Sequence, residues 1–340
     1  MRPNFFHHLH PPTLPAAQAR WRHTLGAGGT AIFLMLVLGV TGILEMFYYV
    51  PNPEKAALSV QTITYHVPFG GFIRNLHYWA AQLLLIFASL HLLRVVFTAA
   101  YGPPRRFNYL LGMGLFVLAF LLDFTGYILR WDTGICYPLV TGTNLLKTIP
   151  LVGDFIFRLA VGGENACESA LLRFYTWHIF ALTLPVVILG VWHAFRVRRD
   201  GGIAVPPAAL RPDPQRISRF ELVRREVVAM LLVGAALVVL ATFFPAPIAP
   251  AMTGRPTLPP DARAPWFFLW VQQLLKWGDP FLFGVLIPLV LLLLLTLIPY
   301  LFPPPAEADI GRWFPKSNRL AQGIVVVIAV FVLVLTLANR

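Results

Sequence analysis

Four histidines fall inside long apolar stretches, where an imidazole finds no water to satisfy it: His77, His91, His178 and His193. The first two are 14 residues apart and the last two 15. On an α-helix, at about 100° and 1.5 Å per residue, 14 positions return to within about 40° of the same face and 15 to within about 60°, after a rise of about 21–22 Å. Each stretch therefore presents two imidazoles on one side, one near each edge of a hydrocarbon core about 30 Å thick. If both helices cross in the same direction, His77 is level with His178 and His91 with His193. Two levels of two facing neutral imidazoles describe two bis-histidine haem sites. A lone intramembrane histidine is commonly a packed side chain, and histidines also relay protons in transporters. Neither accounts for two matched pairs.

Glycines repeat at the same interval on two other apolar stretches: Gly28 and Gly42, then Gly112 and Gly126, each pair 14 apart. Glycine is costly in a helix unless something must approach the backbone, and two stacked porphyrins need such room at the histidine repeat. Small-residue helix packing is the other reading, with Gly29, Gly39 and Gly114 nearby. Haem propionates call for cations at the membrane edges, and the planar arginine fork suits a carboxylate. Arg74 precedes His77 by three residues, Arg94 follows His91 by three, and Arg198 follows His193 by five.

The elements that must hold these groups are membrane helices. The 340 residues are 57% hydrophobic and only 12% charged, about half the charge of a soluble domain. Seven apolar runs predict spans at Ala27–Tyr49, Asn75–Ala99, Tyr109–Leu129, Leu171–Val197, Val227–Phe244, Phe281–Phe302 and Ile324–Leu337. Residues 1–26 hold no apolar core or small-residue cleavage site, so the first span is expected to act as its own insertion signal. Of 27 basic residues, 17 lie in the tail, in alternate loops or in the span ends beside them, and the positive-inside rule places the N-terminus in the cytoplasm and the C-terminus outside. The net charge of +12 thus speaks of topology, not of nucleic acid. The reading is an all-α integral membrane protein: a cytoplasmic tail (1–26), a four-helix haem-binding module (27–200), a Pro- and Arg-rich connector (201–225) that cannot be a membrane helix, and three further spans (226–340). Three long outer connections, Pro51–Arg74, Asp132–Ala170 and Pro245–Lys276, predict short helices lying on the surface.

The stretches FGGFIRNLHYWAAQLLLIFASLHLLRVVFTAAYGPPRRFNYLLG, TGYILRWD and LLRFYTWHIFALTLPVVILGVWHAFRVRRDGG resemble the second span, the turn after the third and the fourth span of the cytochrome b/b6 family. The unequal spacings 14 and 15 resemble the b6 type, and the last three spans resemble the small subunit that accompanies b6. The resemblance implies the b subunit of a quinol:electron-acceptor oxidoreductase with two noncovalent b haems, an outer one at His77 and His178 and an inner one at His91 and His193. It further implies quinol oxidation near the outer face, quinone reduction at the inner face, a Rieske-type iron–sulfur protein or c-type cytochrome as partner, a homodimer, and a bacterial-type inner, energy-transducing membrane. A two-haem conduit without bifurcation, serving a multihaem cytochrome or an iron–sulfur protein, is the alternative.

Three departures bear on this. The family's Pro-Glu-Trp-Tyr motif at the outer quinol site reads Ala264-Pro265-Trp266-Phe267 here, so Trp266 and Phe267 are expected to line the pocket without its glutamate. Asp132, Asp279, Asp261 and the intramembrane Asp123 are candidate substitutes. Arg130 stands where the family generally has proline. Gly26 takes the place of the cysteine that tethers a third haem in the b6 type, so no covalent third haem is expected and an additional one on the inner face could only be noncovalent. Cys136 and Cys167 share an outer connection and are either a disulfide or two unlinked thiols. His7, His8 and His10 beside Pro11 and Pro12 read as tail packing on a partner rather than a metal site.

Overall fold

The computed structural model describes residues 9–207, 215–252 and 262–339. Among them are seven helices long and apolar enough to cross a membrane: Ala27–Met46, Gly70–Phe97, Arg106–Ile128, Ser169–Arg199, Arg219–Phe243, Leu282–Leu301 and Lys316–Ala338. The first span packs along the second and the third along the fourth, and the two pairs together make a four-helix bundle. The fifth lies against the first and second, the sixth against the third, and the seventh against the second.

The connections between the first and second, third and fourth, and fifth and sixth spans carry short helices: α1 (Ala56–Tyr65), α2 (Cys136–Lys147), α3 (Gly153–Val161) and α4 (Leu269–Leu275). The first three cap one end of the bundle over a core that includes Trp131, Ile135, Leu139, Phe157 and Phe174, while α4 packs on the seventh span and the start of the sixth. At the other end Tyr101, Tyr109, Ile298, Ala321 and Val325 form a second core. There Asn318 donates from Nδ2 to the Val96 carbonyl at 2.7 Å and accepts from the Tyr101 hydroxyl.

Two differences from the expected boundaries have local causes. The helix of the fifth span begins at Arg219, inside the segment read as connector. Ser218 Oγ accepts from the Glu221 amide at 3.3 Å, and Glu221 pairs with Arg224 and Arg225 at 2.9 and 2.7 Å. This S-x-x-E start extends the helix through a charged turn that hydropathy discounts. Just before it, β2 (Arg216–Ser218) pairs antiparallel with β1 (Thr13–Pro15) of the tail, so this part of the tail packs on the chain's own connector. His10 is described, while His7 and His8 lie outside the described residues.

The second difference is in the fourth span, where Trp177–Ala181 is a π-turn and the Leu182 amide reaches back five residues to Trp177 at 2.9 Å. Pro185, which has no N–H and clashes with the carbonyl four residues earlier, follows at once. The turn takes up one extra residue. The same pairing, a π-turn at Leu282–Leu286 before Pro288, recurs in the sixth span.

Candidate functional site

The π-turn has a direct consequence for the histidines. Fifteen residues on the fourth span with one absorbed by the turn match 14 on the uninterrupted second span, so both imidazole pairs meet. His77 and His178 face each other with ring centroids 6.3 Å apart and planes at 67°, and His91 and His193 at 6.4 Å and 81°. Metal–imidazole bonds are about 2.0–2.1 Å. Two such bonds in line, with the step from each ring nitrogen to its ring centre added, span about 6 Å.

In three of the four histidines the other ring nitrogen is engaged. Thr41 Oγ1 lies 2.9 Å from His77 Nδ1 and also donates to the Val37 carbonyl at 2.8 Å. With its hydrogen spent there, the hydroxyl accepts from Nδ1–H. Thr125 repeats this on the third span, 3.2 Å from His178 Nδ1 while donating to Leu121 at 2.8 Å. His178 Nδ1 also lies 3.1 Å from the Leu122 carbonyl, and His193 Nδ1 3.1 Å from that of Asn108. Placing the proton on Nδ1 leaves Nε2 bare for a metal. These imidazoles have the donor chemistry that could hold haem iron.

The glycines lie against these rings. A Cβ on Gly28 would stand 3.3 Å from His91 Cε1, on Gly42 3.2 Å from His77 Cε1, on Gly112 3.2 Å from His193 Cε1, and on Gly126 2.7 Å from His178 Cε1. What each missing side chain admits here is an imidazole edge. The sequence does not single out Thr41 and Thr125, yet the Thr-Gly dipeptide at 41–42 and again at 125–126 is a signal for them.

The arginines divide. Arg74 is buried and donates to the Ala246 and Pro247 carbonyls at 3.2 and 2.5 Å. Arg94 is buried too, with Nε 3.1 Å from the His23 carbonyl and Nη2 2.8 Å from His23 Nε2. Arg198 is exposed. His23 sits outside the spans, and burial first, then the Arg94 guanidinium, lower its pKa from 6.5.

The acids nominated for the outer site also separate. Asp132 is buried and held by Arg130 at 2.7–3.0 Å and by the Gly134 and Ala249 amides at 3.0 Å each. Asp279 caps the start of the sixth span through the Leu282 amide at 2.8 Å, and Asp261 lies outside the described residues. Asp123 accepts from Gln82 Nε2 at 3.2 Å. Trp266 donates from its indole nitrogen to Gln82 Oε1 at 2.6 Å, and Phe267 is buried in a ring cluster with Phe120 and Phe268. Cys136 is buried with Sγ 3.0 Å from Met252 Sδ. The Cys167 side chain, and with it any Cys136–Cys167 pairing, lies outside the described residues.

Comparison with known proteins adds to this geometry. The family model for cytochrome b/b6/petB matches residues 16–201. Cytochrome b6 of Heliomicrobium gestii is 38% identical over 183 residues, covering 53% of this chain and 86% of that one. The menaquinol:cytochrome c reductase cytochrome b subunit of Geobacillus thermodenitrificans is 34% identical over 177 residues, covering 51% and 78%. Among solved structures, a chain of a hyperthermophilic respiratory Complex III superposes with a TM-score of 0.72 at 19% identity, covering 93% of this chain and 90% of that chain.

Proposed function

The chain belongs to the cytochrome b/b6 family, and from that premise we propose that it is the di-haem b subunit of a membrane quinol:cytochrome c-type oxidoreductase. The observation that carries the proposal is the pair of facing imidazole couples, 6.3 and 6.4 Å across, at two levels of one bundle. His77 and His178 would hold the outer b haem, His91 and His193 the inner. Bound haem supplies one-electron chemistry at iron, while the protein sets position, potential and proton access. In this chain Thr41, Thr125 and the Leu122 and Asn108 carbonyls fix the ring tautomers. The buried guanidinia of Arg74 and Arg94 put fixed positive charge near the outer and inner couples.

Residues 27–200 form the haem module in this reading, and the three spans of 226–340 form a second module like the small subunit that accompanies b6. The end of the family match at residue 201, where the connector starts, supports the division. Trp266 and Phe267 line the outer quinol pocket. The membrane is an energy-transducing one with the N-terminus in the cytoplasm, and the partners are a Rieske-type iron–sulfur protein, a c-type cytochrome and a second copy of the complex.

One observation favours the non-bifurcating conduit as a second reading: Ala264–Phe267 carries no carboxylate, and Asp132 is already fully bound. Anaerobic addition of a quinol to the purified complex separates the two. Reduction of both b haems by quinol, with onward transfer to a c-type cytochrome through a co-purifying Rieske protein, is the expected result. Haems that dithionite reduces but quinol does not, in a preparation without a Rieske protein, would favour the conduit.

A further inference from the structure

Asp123 is an acid in the apolar body of the third span, and its polar contacts tie three segments together. Gln82 of the second span donates from Nε2 to Asp123 Oδ1 at 3.2 Å and Oδ2 at 3.4 Å, and its Oε1 accepts from the Trp266 indole at 2.6 Å. An indole has a donor and no acceptor, so the amide has one orientation, oxygen toward Trp266 and nitrogen toward Asp123. Gln82 is buried, whereas Asp123 keeps part of its surface open. Around them stand aromatic rings: Phe124 packs on Phe268 at 5.7 Å and Phe120 on Phe267 at 6.0 Å. The neighbouring residue, Leu122, holds His178 Nδ1 with its carbonyl at 3.1 Å. The carboxyl and the carbonyl that holds His178 therefore belong to consecutive residues of one helical turn.

A carboxyl at this depth is expensive and marks a proton or ligand path. Holding an amide donor alone would be served by a neutral acceptor. Asp132 and Asp279, the other described acids near this end that were candidates, are engaged by an arginine, backbone amides and a helix start.

We propose that Asp123 accepts a proton from the quinol oxidised beside Trp266 and Phe267, with Gln82 as the positioning residue that sets both carboxyl and indole. The proposal rests on the quinol-oxidising reading above. In the step, one quinol O–H bond breaks and an Asp123 O–H bond forms, and the second proton leaves to water at the outer face. A haem held by His77 and His178 would take one electron and an outer acceptor of the iron–sulfur class the other, which balances oxidation of quinol to quinone. The ionisable group facing the carboxyl is Tyr78, one turn from Gln82 and within reach of the Asp123 charge; His178 is held by the neighbouring Leu122 carbonyl, and Tyr127 and Arg130 lie further along the same helix and the turn after it.

The test uses the whole complex carrying Asp123→Asn, Asp123→Glu or Gln82→Leu, with the b-haem spectrum and haem-to-chain ratio as a check on assembly. Asp123→Asn is expected to keep both haems and dithionite reduction, to slow quinol-driven haem reduction on the order of 100-fold, and to lose a limb of its pH profile. It should also lose a carboxyl C=O band from the quinol-induced infrared difference spectrum, and Asp123→Glu should recover part of the rate. An Asp123→Asn complex with the wild-type rate, pH profile and infrared band would overturn the proposal. If that variant loses its haems, Gln82→Leu decides: a shifted carboxyl band upholds the assignment and an unmoved one rejects it. Wild-type haems that quinol never reduces would instead overturn the quinol-oxidising reading, and this proposal with it.

Discussion

Gly126 and Gly28 occupy equivalent places beside an imidazole, but the room they leave differs. A Cβ at Gly126 would stand 2.7 Å from His178 Cε1, closer than carbon atoms approach, while one at Gly28 would stand 3.3 Å from His91 Cε1. Gly126→Ala must displace the ring, an overpacking cost of about 1–3 kcal/mol, and is expected to deplete the outer haem; Gly28→Ala should keep the inner one. Haem-to-chain ratios of the two variants check this, and equal retention would contradict it. His23 gives a pH dependence. Its pKa lies below 6.5 because it is buried and faces Arg94, so the folded chain binds this proton less readily than the unfolded chain. The stabilisation is complete above about pH 6.5 and is lost as pH falls through the lowered value. The thermal midpoint should drop with acidification over that window, and His23→Gln should flatten the slope by roughly one proton. An unchanged slope would exclude His23 as the titrating group. At this scale the histidines and glycines are legible in the sequence because helical periodicity is local. Gln82 is not, since one glutamine in an apolar run carries no period and its meaning depends on Trp266, 184 residues away.

The π-turn at Trp177–Ala181 turns an odd spacing into a matched one. The second span has no such device, and its 14-residue interval runs through uninterrupted α-helix. An alanine inserted after Leu84 would rotate every later residue of that span by about 100°, carrying His91 away from His193. The expected outcome is loss of the inner haem with the outer one retained, read from the absorption spectrum. Two haems in the insertion variant would mean that the level of the ring, not its azimuth, selects the ligand. Element boundaries were legible where hydropathy changes abruptly and not where a charged turn continues a helix. The Ser218–Glu221 cap is written in the sequence, but its ion pairs with Arg224 and Arg225 let a polar segment stay helical. The pairing of β1 with β2 joins segments about 200 residues apart, a non-local contact that no short pattern announces.

Across the whole molecule, two unlike signals meet at one boundary. The family match ends at residue 201, whereas the likeness in fold runs over 93% of the chain. The spans beyond the connector are therefore placed by shape rather than by shared residues. They bring Trp266 onto Gln82 and the Ala246 and Pro247 carbonyls onto Arg74, so the later part of the chain completes that end of the four-helix bundle. Basic residues gather in the tail, in alternate loops and in the span ends beside them, 17 of 27, and this sets the proposed direction of crossing. A potentiometric titration of the b-haem absorption in the purified chain with its partners, together with a haem-to-chain ratio, tests the central claim most directly. Two noncovalent b haems per chain with separate midpoint potentials are predicted; one haem, or none, would contradict the pairing of His77 with His178 and His91 with His193.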